Sequence, residues 1–232
     1  MNIKKTTFYK KAKRALFYAL LGFIGASVLI VALFGFIPHS SSAFMLQQHL
    51  TDYNQNKDFK ANIQTWKNKH SISPHIFSAV VAAEDQLFYQ HFGFDLTAIS
   101  HAIKDSFAGR KLRGASTISQ QVAKNVFLSP ARSLLRKALE AWFTLLIELL
   151  WSKDRILLVY VNIAEFGDHL YGIEAASQHY FSRSAKNINP KQAALLAASL
   201  PNPALFKVDK PSNKMIDKQR WILQQMKNLN YL

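Results

Sequence analysis

Apolar stretches separated by polar breaks run the length of the chain, and most of the breaks carry helix signals. The first apolar stretch, residues 15–37, is 23 residues long and contains no charge. At about 1.5 Å rise per residue it exceeds the roughly 30 Å hydrocarbon core of a bilayer, so it reads as a membrane-spanning helix. Pro38-His39-Ser40-Ser41-Ser42 follows as a short exit. Residues 44–70 are polar with scattered aromatics (Phe44, Tyr53, Phe59, Trp66) and are expected to form helix plus loop that lifts the rest off the membrane. Ser73-Pro74 pairs a cap residue with proline at the first helical position and predicts a helix to about Tyr89. Ser129-Pro130 repeats that signal and predicts a long helix to Trp151. Further helices are predicted over 96–107, 117–126, 153–164, 173–180, 190–200 and 213–229. No alternating run predicts a strand. The chain therefore reads as mainly α, with four parts: an arm (1–14), a transmembrane helix (15–37), a membrane-proximal linker (38–70) and one helical domain (71–232).

Charge orients this picture. Lys4, Lys5, Lys10, Lys11, Lys13 and Arg14 precede the apolar stretch with no acidic residue among them, which places the N-terminus in the cytoplasm. A cleaved signal peptide has a shorter apolar core of roughly 7–15 residues and a small-residue exit, whereas this stretch ends in Phe34-Gly35-Phe36-Ile37. The net charge is +15, of which the arm supplies +6. With a membrane anchor and an outward-facing domain, that surplus suits an anionic membrane or anionic substrate rather than nucleic acid. The chain has no cysteine, which rules out disulfides, thiolate metal sites and a thiol nucleophile. The histidines show no close ligand spacing of the His-Glu-x-x-His kind.

Two carboxylates stand out against their neighbours. On a helical wheel Glu84 falls with Phe77, Val81 and Phe88, in the middle of an apolar stripe. Burial there disfavours the charged form and raises the pKa, which suits a general base working near neutral pH; a Glu paired with a buried cation is the structural alternative. Glu140 lies on a polar, cationic stripe with Arg136, Lys137 and Thr144. Taken alone, that pattern is a solvated ion pair worth a few tenths of a kcal/mol. Two carboxylates whose surroundings push their pKa values apart are nonetheless a signature of separate acid–base roles.

Five ordered motifs extend the pattern. The first is Glu84-Asp85-x-x-Phe88-x-x-His91-x-Gly93-x-Asp95, and the second runs from Gly114 to Asn125 through Ser116, Thr117, Gln120, Gln121 and Lys124. Arg136-Lys137-x-x-Glu140 is the third. Lys153-Asp154-x-Ile156-Leu157-x-x-Tyr160-x-Asn162, with Phe166-Gly167 and Tyr171-Gly172, is the fourth, and Ala193 to Pro203 the fifth. Together they resemble the peptidoglycan glycosyltransferases of family 51, most closely the monofunctional biosynthetic transglycosylases. Ala115 departs from the glycine common in that family, and Val161 from leucine.

The resemblance implies a lysozyme-like α-helical glycosyltransferase domain on the outer face of a bacterial inner membrane, held by a single pass. It implies polymerisation of lipid II into β-1,4-linked glycan strands, with inversion and release of polyprenyl diphosphate. Glu84 is then the base that takes the acceptor hydroxyl proton. Glu140 is the second essential carboxylate, and we favour a role in organising cations around the leaving pyrophosphate over a general-acid role. Gly114, Ser116, Gln120, Gln121, Lys124, Asn125, Arg132, Arg136 and Lys137 are the implied substrate-binding residues. Capping hydrogen bonds are an equal alternative for Thr117 and Gln120. No cofactor is required, and no residue is assigned to metal, although the substrate pyrophosphate leaves room for a Mg²⁺ or Mn²⁺ ion. The implied partners are lipid II, the growing strand, the membrane and other cell-wall synthesis or division proteins. Two other readings compete: a membrane-anchored lysozyme-like hydrolase or lytic transglycosylase, and a non-catalytic cell-wall scaffold. The absence of Ser-x-x-Lys and Lys-Thr-Gly excludes penicillin-binding chemistry as a second activity.

Overall fold

Polar caps set where most of the helices begin. A computed structural model of the chain describes residues 2–39, 41–55, 57–109, 116–129 and 133–230. Within them lie α1 (Asn2–Phe34), α2 (Ala43–Asn54), β1 (Ile63–Gln64), α3 (Pro74–Glu84), α4 (Leu96–Phe107), α5 (Ile118–Phe127), α6 (Leu134–Leu150), α7 (Lys153–Ile163), β2 (Glu165–Gly167), β3 (Leu170–Tyr171), α8 (Ile173–Phe181), α9 (Pro190–Ser199) and α10 (Asn213–Asn228). Ser42, Ser133, Ser152 and Ser212 each accept a backbone N–H three residues on, at the starts of α2, α6, α7 and α10. Thr117 and Asn189 form capping boxes with Gln120 and Gln192. The molecule is mainly helical with one apolar helix near its N-terminus, as the periodicity predicts. That helix is long and apolar enough to cross a membrane over Lys10–Phe34, and only 11% of its most apolar window is buried, unlike a core helix of a soluble protein.

Three expectations about elements fail, each for an identifiable reason. The helix from Pro74 stops at Glu84 rather than near Tyr89, because the Asp85 carboxylate is captured by His91 and by the Ile118 N–H and its backbone leaves the helical region (φ −162°, ψ 78°). Phe88 is therefore not on the Glu84 helix, although it is fully buried in the turn that follows. The long helix begins at Leu134, capped by Ser133, instead of at the earlier Ser129-Pro130 signal. Residues 63–64, 165–167 and 170–171 form a small sheet in the order β1-β3-β2, with β1 parallel and β2 antiparallel to β3. Strands of two or three residues are too short to show alternation.

The sheet and α2 also correct the picture of a spacer. Residues 43–55 and 57–71 are built into the domain: β1 pairs with β3, α2 packs on α5, and Met45 is buried in the core. Asn162, fully buried, holds the segment by accepting the Lys67 N–H and donating to the Lys67 carbonyl. Gly172 completes this corner. Its φ is +78°, and a Cβ would meet the Asn162 carbonyl oxygen at 2.5 Å, so only glycine fits. The core gathers α3, α5, α7 and α9, with α6 against α5 and α10 across α3 and α9.

Candidate functional site

α5 is the element around which the candidate site is built. Its first turn is tied down from outside the helix. The Ile118 N–H donates to Asp85 Oδ2 at 3.0 Å, and Thr117 Oγ1 donates to the Gly93 carbonyl at 2.7 Å. Ser119 Oγ donates to Glu148, a buried carboxylate that also accepts Lys153 Nζ at 2.8 Å. His91, expected to fix the loop after the first helix, does so through Nε2 and Asp85, 2.9 Å apart.

One turn along α5, Gln121 reaches Glu84 and Lys124 shares a cavity with Glu140. Gln121 Nε2 donates to Glu84 Oε2 at 3.0 Å, and Gln121 Oε1 accepts the buried Tyr160 hydroxyl at 3.2 Å. Burial raises the Glu84 pKa; the Gln121 hydrogen bond and the charge of Lys218 oppose this, and Asp85 adds to it. Burial likewise pushes the Tyr160 hydroxyl well above the ordinary phenol value, with the Glu84 and Asp85 charges adding to it. Tyr160 is thus a neutral donor that orients Gln121.

Glu140 sits beyond Lys124, on α6. The expected solvated pair is not found: Glu140 is 3% exposed. Arg136 Nη1 donates to its Oε2 at 2.6 Å, and Lys137 Nζ pairs with its Oε1. Thr144 Oγ1 bonds the Glu140 carbonyl and fixes the helix beneath. Lys124 has its pKa lowered by burial, opposed by the nearby Glu140 charge. Ser116, Gln120, Gln121, Lys124, Arg136, Lys137 and Glu140 together line one cavity of about 180 Å³. Glu84 lies one hydrogen bond behind its Gln121 wall.

Seven of the predicted residues thus meet at one place, and Glu84 joins them through Gln121. Gln120 borders the cavity, but its Oε1 accepts the Thr117 N–H in the capping box, so the structural alternative holds for that atom. Asn125 is on α5, partly buried, and does not line the cavity. Gly114 and Arg132 lie outside the described residues. Sequence reasoning missed Asp85, Tyr160 and Lys218. Asp85 and Tyr160 stand inside the motifs and could have been flagged there. Lys218 is on α10, outside every motif, with its own pKa lowered by burial and raised by Glu84.

Comparison with known proteins decides the family. A family model described as "Transglycosylase" matches residues 51–227. The chain belongs to the transglycosylase family. It is thereby a glycosyltransferase. A Mannheimia succiniciproducens protein named "Biosynthetic peptidoglycan transglycosylase" is 49% identical over 236 residues, covering 100% of this chain and 95% of the relative. Proteins of the same name from Haemophilus influenzae and Chromohalobacter salexigens are 51% and 45% identical, covering 89% and 95% of this chain and 85% and 94% of their own length.

Proposed function

We propose that this chain polymerises lipid II into β-1,4-linked peptidoglycan strands from the outer face of the bacterial inner membrane, with its N-terminus in the cytoplasm. The observation that carries the reading is the contrast between the two carboxylates. Glu84, its pKa raised by burial and tuned by Gln121, suits a base that takes the proton of the acceptor 4-hydroxyl. As that oxygen attacks C1 of the donor, the C1–O–P bond breaks and its electrons pass to the pyrophosphate. Inversion follows from attack opposite the leaving group, without a covalent sugar–enzyme intermediate. Lys124, Arg136 and Lys137 present cationic donors to the departing oxygens, a pyrophosphate-binding set that a hydrolase acting on neutral glycan has no use for. Ser116, Gln120 and Gln121 add hydroxyl and amide groups.

Glu140 serves this set as an anchor. Both of its oxygens are occupied by Arg136 and Lys137, so it aims those cations rather than giving up a proton. Among the described residues the cavity offers a single carboxylate, already paired with Arg136 and Lys137, beside three cations, which is a poor ligand set for a resident divalent cation. The anchor helix and the exposed Leu134, Leu135 and Leu149 of the Glu140 helix suit a site working at membrane level, where a lipid-linked donor and the growing strand are held.

The test is the purified full-length protein with labelled lipid II. The parent should form glycan polymer, and Glu84→Gln should be slower by about two to four orders of magnitude with its fold intact. Strong muramidase activity of the parent on finished peptidoglycan, with no polymer from lipid II, would overturn the reading in favour of a lysozyme-like hydrolase.

A further inference from the structure

The end of the apolar helix is not a free tether. The last carbonyls of an α-helix run short of intrahelical donors, and at the end of α1 two residues of the catalytic domain add to the Gly35 and Phe36 N–H groups that reach Val31, Ala32 and Leu33. Trp151 Nε1 donates to the Val31 carbonyl at 2.8 Å. Arg155 Nη2 donates to the Phe34 carbonyl at 2.9 Å and also to the Ile37 carbonyl beyond the helix end. The Arg155 guanidinium lies 5.3 Å from the Trp66 ring centroid and 5.9 Å from that of Trp151. Phe34 stacks on Phe127 at 5.7 Å. Gly35 allows the close approach, since a Cβ there would meet Trp151 Nε1 at 2.9 Å. Deeper along α1, Trp142 Nε1 donates to Ser27 Oγ at 3.2 Å, and Trp142 packs on Phe23 with ring centroids 6.3 Å apart.

These contacts run from Phe23 to Phe34, about 16 Å along the helix axis, or roughly half of a bilayer core. Their partners are the elements that carry the chemistry. Trp142 is on α6, two residues from Glu140, and Arg155 is on α7, which carries Tyr160.

We propose that α1 is a rigid strut, and that Trp151 and Arg155 are positioning residues that set the depth of the Glu84–Glu140 cavity relative to the bilayer. The proposal rests on the reading that the donor is anchored in the membrane by its lipid. A strut holds the cavity at the height of the pyrophosphate. A loose tether would supply local concentration alone.

The absence of cysteine allows a clean test. Spin labels at Leu29→Cys on α1 and Gln224→Cys on α10, both exposed, report the strut-to-domain distance in nanodiscs. The otherwise native chain should give one narrow distance distribution; Arg155→Gln and, independently, the milder Trp151→Phe should broaden it. On lipid II in liposomes both variants should raise KM by about tenfold, equivalent to about 1.4 kcal/mol, with kcat nearly unchanged. In detergent micelles both should match the parent, and Arg155→Lys should recover part of the liposome loss. An unchanged narrow distance in both variants, or equal losses in detergent and liposomes, would overturn the strut. The distance readout needs no turnover, so it still decides the strut if the parent makes no polymer.

Discussion

Replacing Gln121 by methionine separates the two jobs that its side-chain amide performs. Its Nε2 stabilises the charged form of Glu84 from 3.0 Å. A hydrogen bond to a charged group contributes about 1.5–3 kcal/mol net, and entering water recovers part of that. One pKa unit corresponds to about 1.4 kcal/mol, so Gln121→Met should raise the Glu84 pKa by about one further unit. A base works only when ionised. The acid limb of the pH–rate profile should therefore move about one unit to higher pH, with up to about tenfold loss below it in addition to the pH-independent loss of a cavity-wall amide. Lys218→Met removes a charge that lowers the same pKa and should move the limb in the same direction by less, because Lys218 is partly solvated.

The other job is structural. Gln121 Oε1 accepts the Tyr160 hydroxyl, and Tyr160 is 2% exposed. Methionine orphans that hydroxyl, which costs about 1–3 kcal/mol of stability. Adding Tyr160→Phe should restore most of the stability while leaving the acid limb displaced. The assay is initial rate on labelled lipid II across the neutral pH range, with thermal unfolding alongside. An acid limb that stays put or moves to lower pH would refute the assignment of Glu84 as the titrating base.

Two further predictions follow from the charged groups around the site and the anchor. Glu140→Gln makes the cavity more positive, yet a non-reactive lipid-pyrophosphate analogue should bind about tenfold more weakly, because Arg136 and Lys137 lose the carboxylate that aims them; equal or tighter binding would assign Glu140 to proton transfer instead. His39, packed among Phe34, Trp66 and Trp151, has its pKa lowered by burial and by Arg155 to about 4. Because the unfolded chain takes up this proton at its ordinary value of 6.5, the contribution of His39 is complete above that pH and is lost progressively as pH drops to about 4. Glu165, raised by burial to about 7, runs the opposite way, so the check is the difference in unfolding free energy between parent and His39→Gln over that window; parallel curves would reject it.

Legibility in the sequence followed how local each cause was. The helices from Leu96, Ile118, Lys153, Ile173, Pro190 and Asn213 fell close to their predicted spans, because a 3.6-residue apolar period and a polar cap act within a few residues. The end of α3 was not legible: Asp85 leaves the helix to bond Ile118, 33 positions away. Adjacent carboxylates at 84 and 85 look alike on paper, and only packing makes one of them a structural anchor. Glu140 misled in the opposite sense. Its wheel neighbours are charged, but α6 packs against α5, where Gln120 and Lys124 share its cavity, and Glu140 is buried. Lys218 reaches Glu84 from α10 with no local signal at all. The anchor hydrogen bonds join residues 115 to 121 positions apart, and a single sequence carries no trace of them.

The geometry also explains how two carboxylates with opposed surroundings stay in register. Gln121 and Lys124 are three residues apart on α5, about 4.5 Å along its axis. One meets Glu84, and the other shares the cavity with Glu140. The spacing between base and cationic cluster is therefore set by a single rigid helix rather than by the packing of two independent lobes. That helix is pinned at its start by Asp85, by Thr117 and by the Ser119–Glu148–Lys153 chain, none of which touches the cavity through its bonding atoms. Burying Asp85 and Glu148 is costly unless their hydrogen bonds are satisfied, and each accepts from two donors. Such buried polar links fix a position where apolar packing alone would tolerate sliding. The motif residues thus divide by distance from the cavity. Those on its wall supply charge and hydrogen bonds to a substrate, and those behind it hold α5 so that Glu84 and the cations act on one bond.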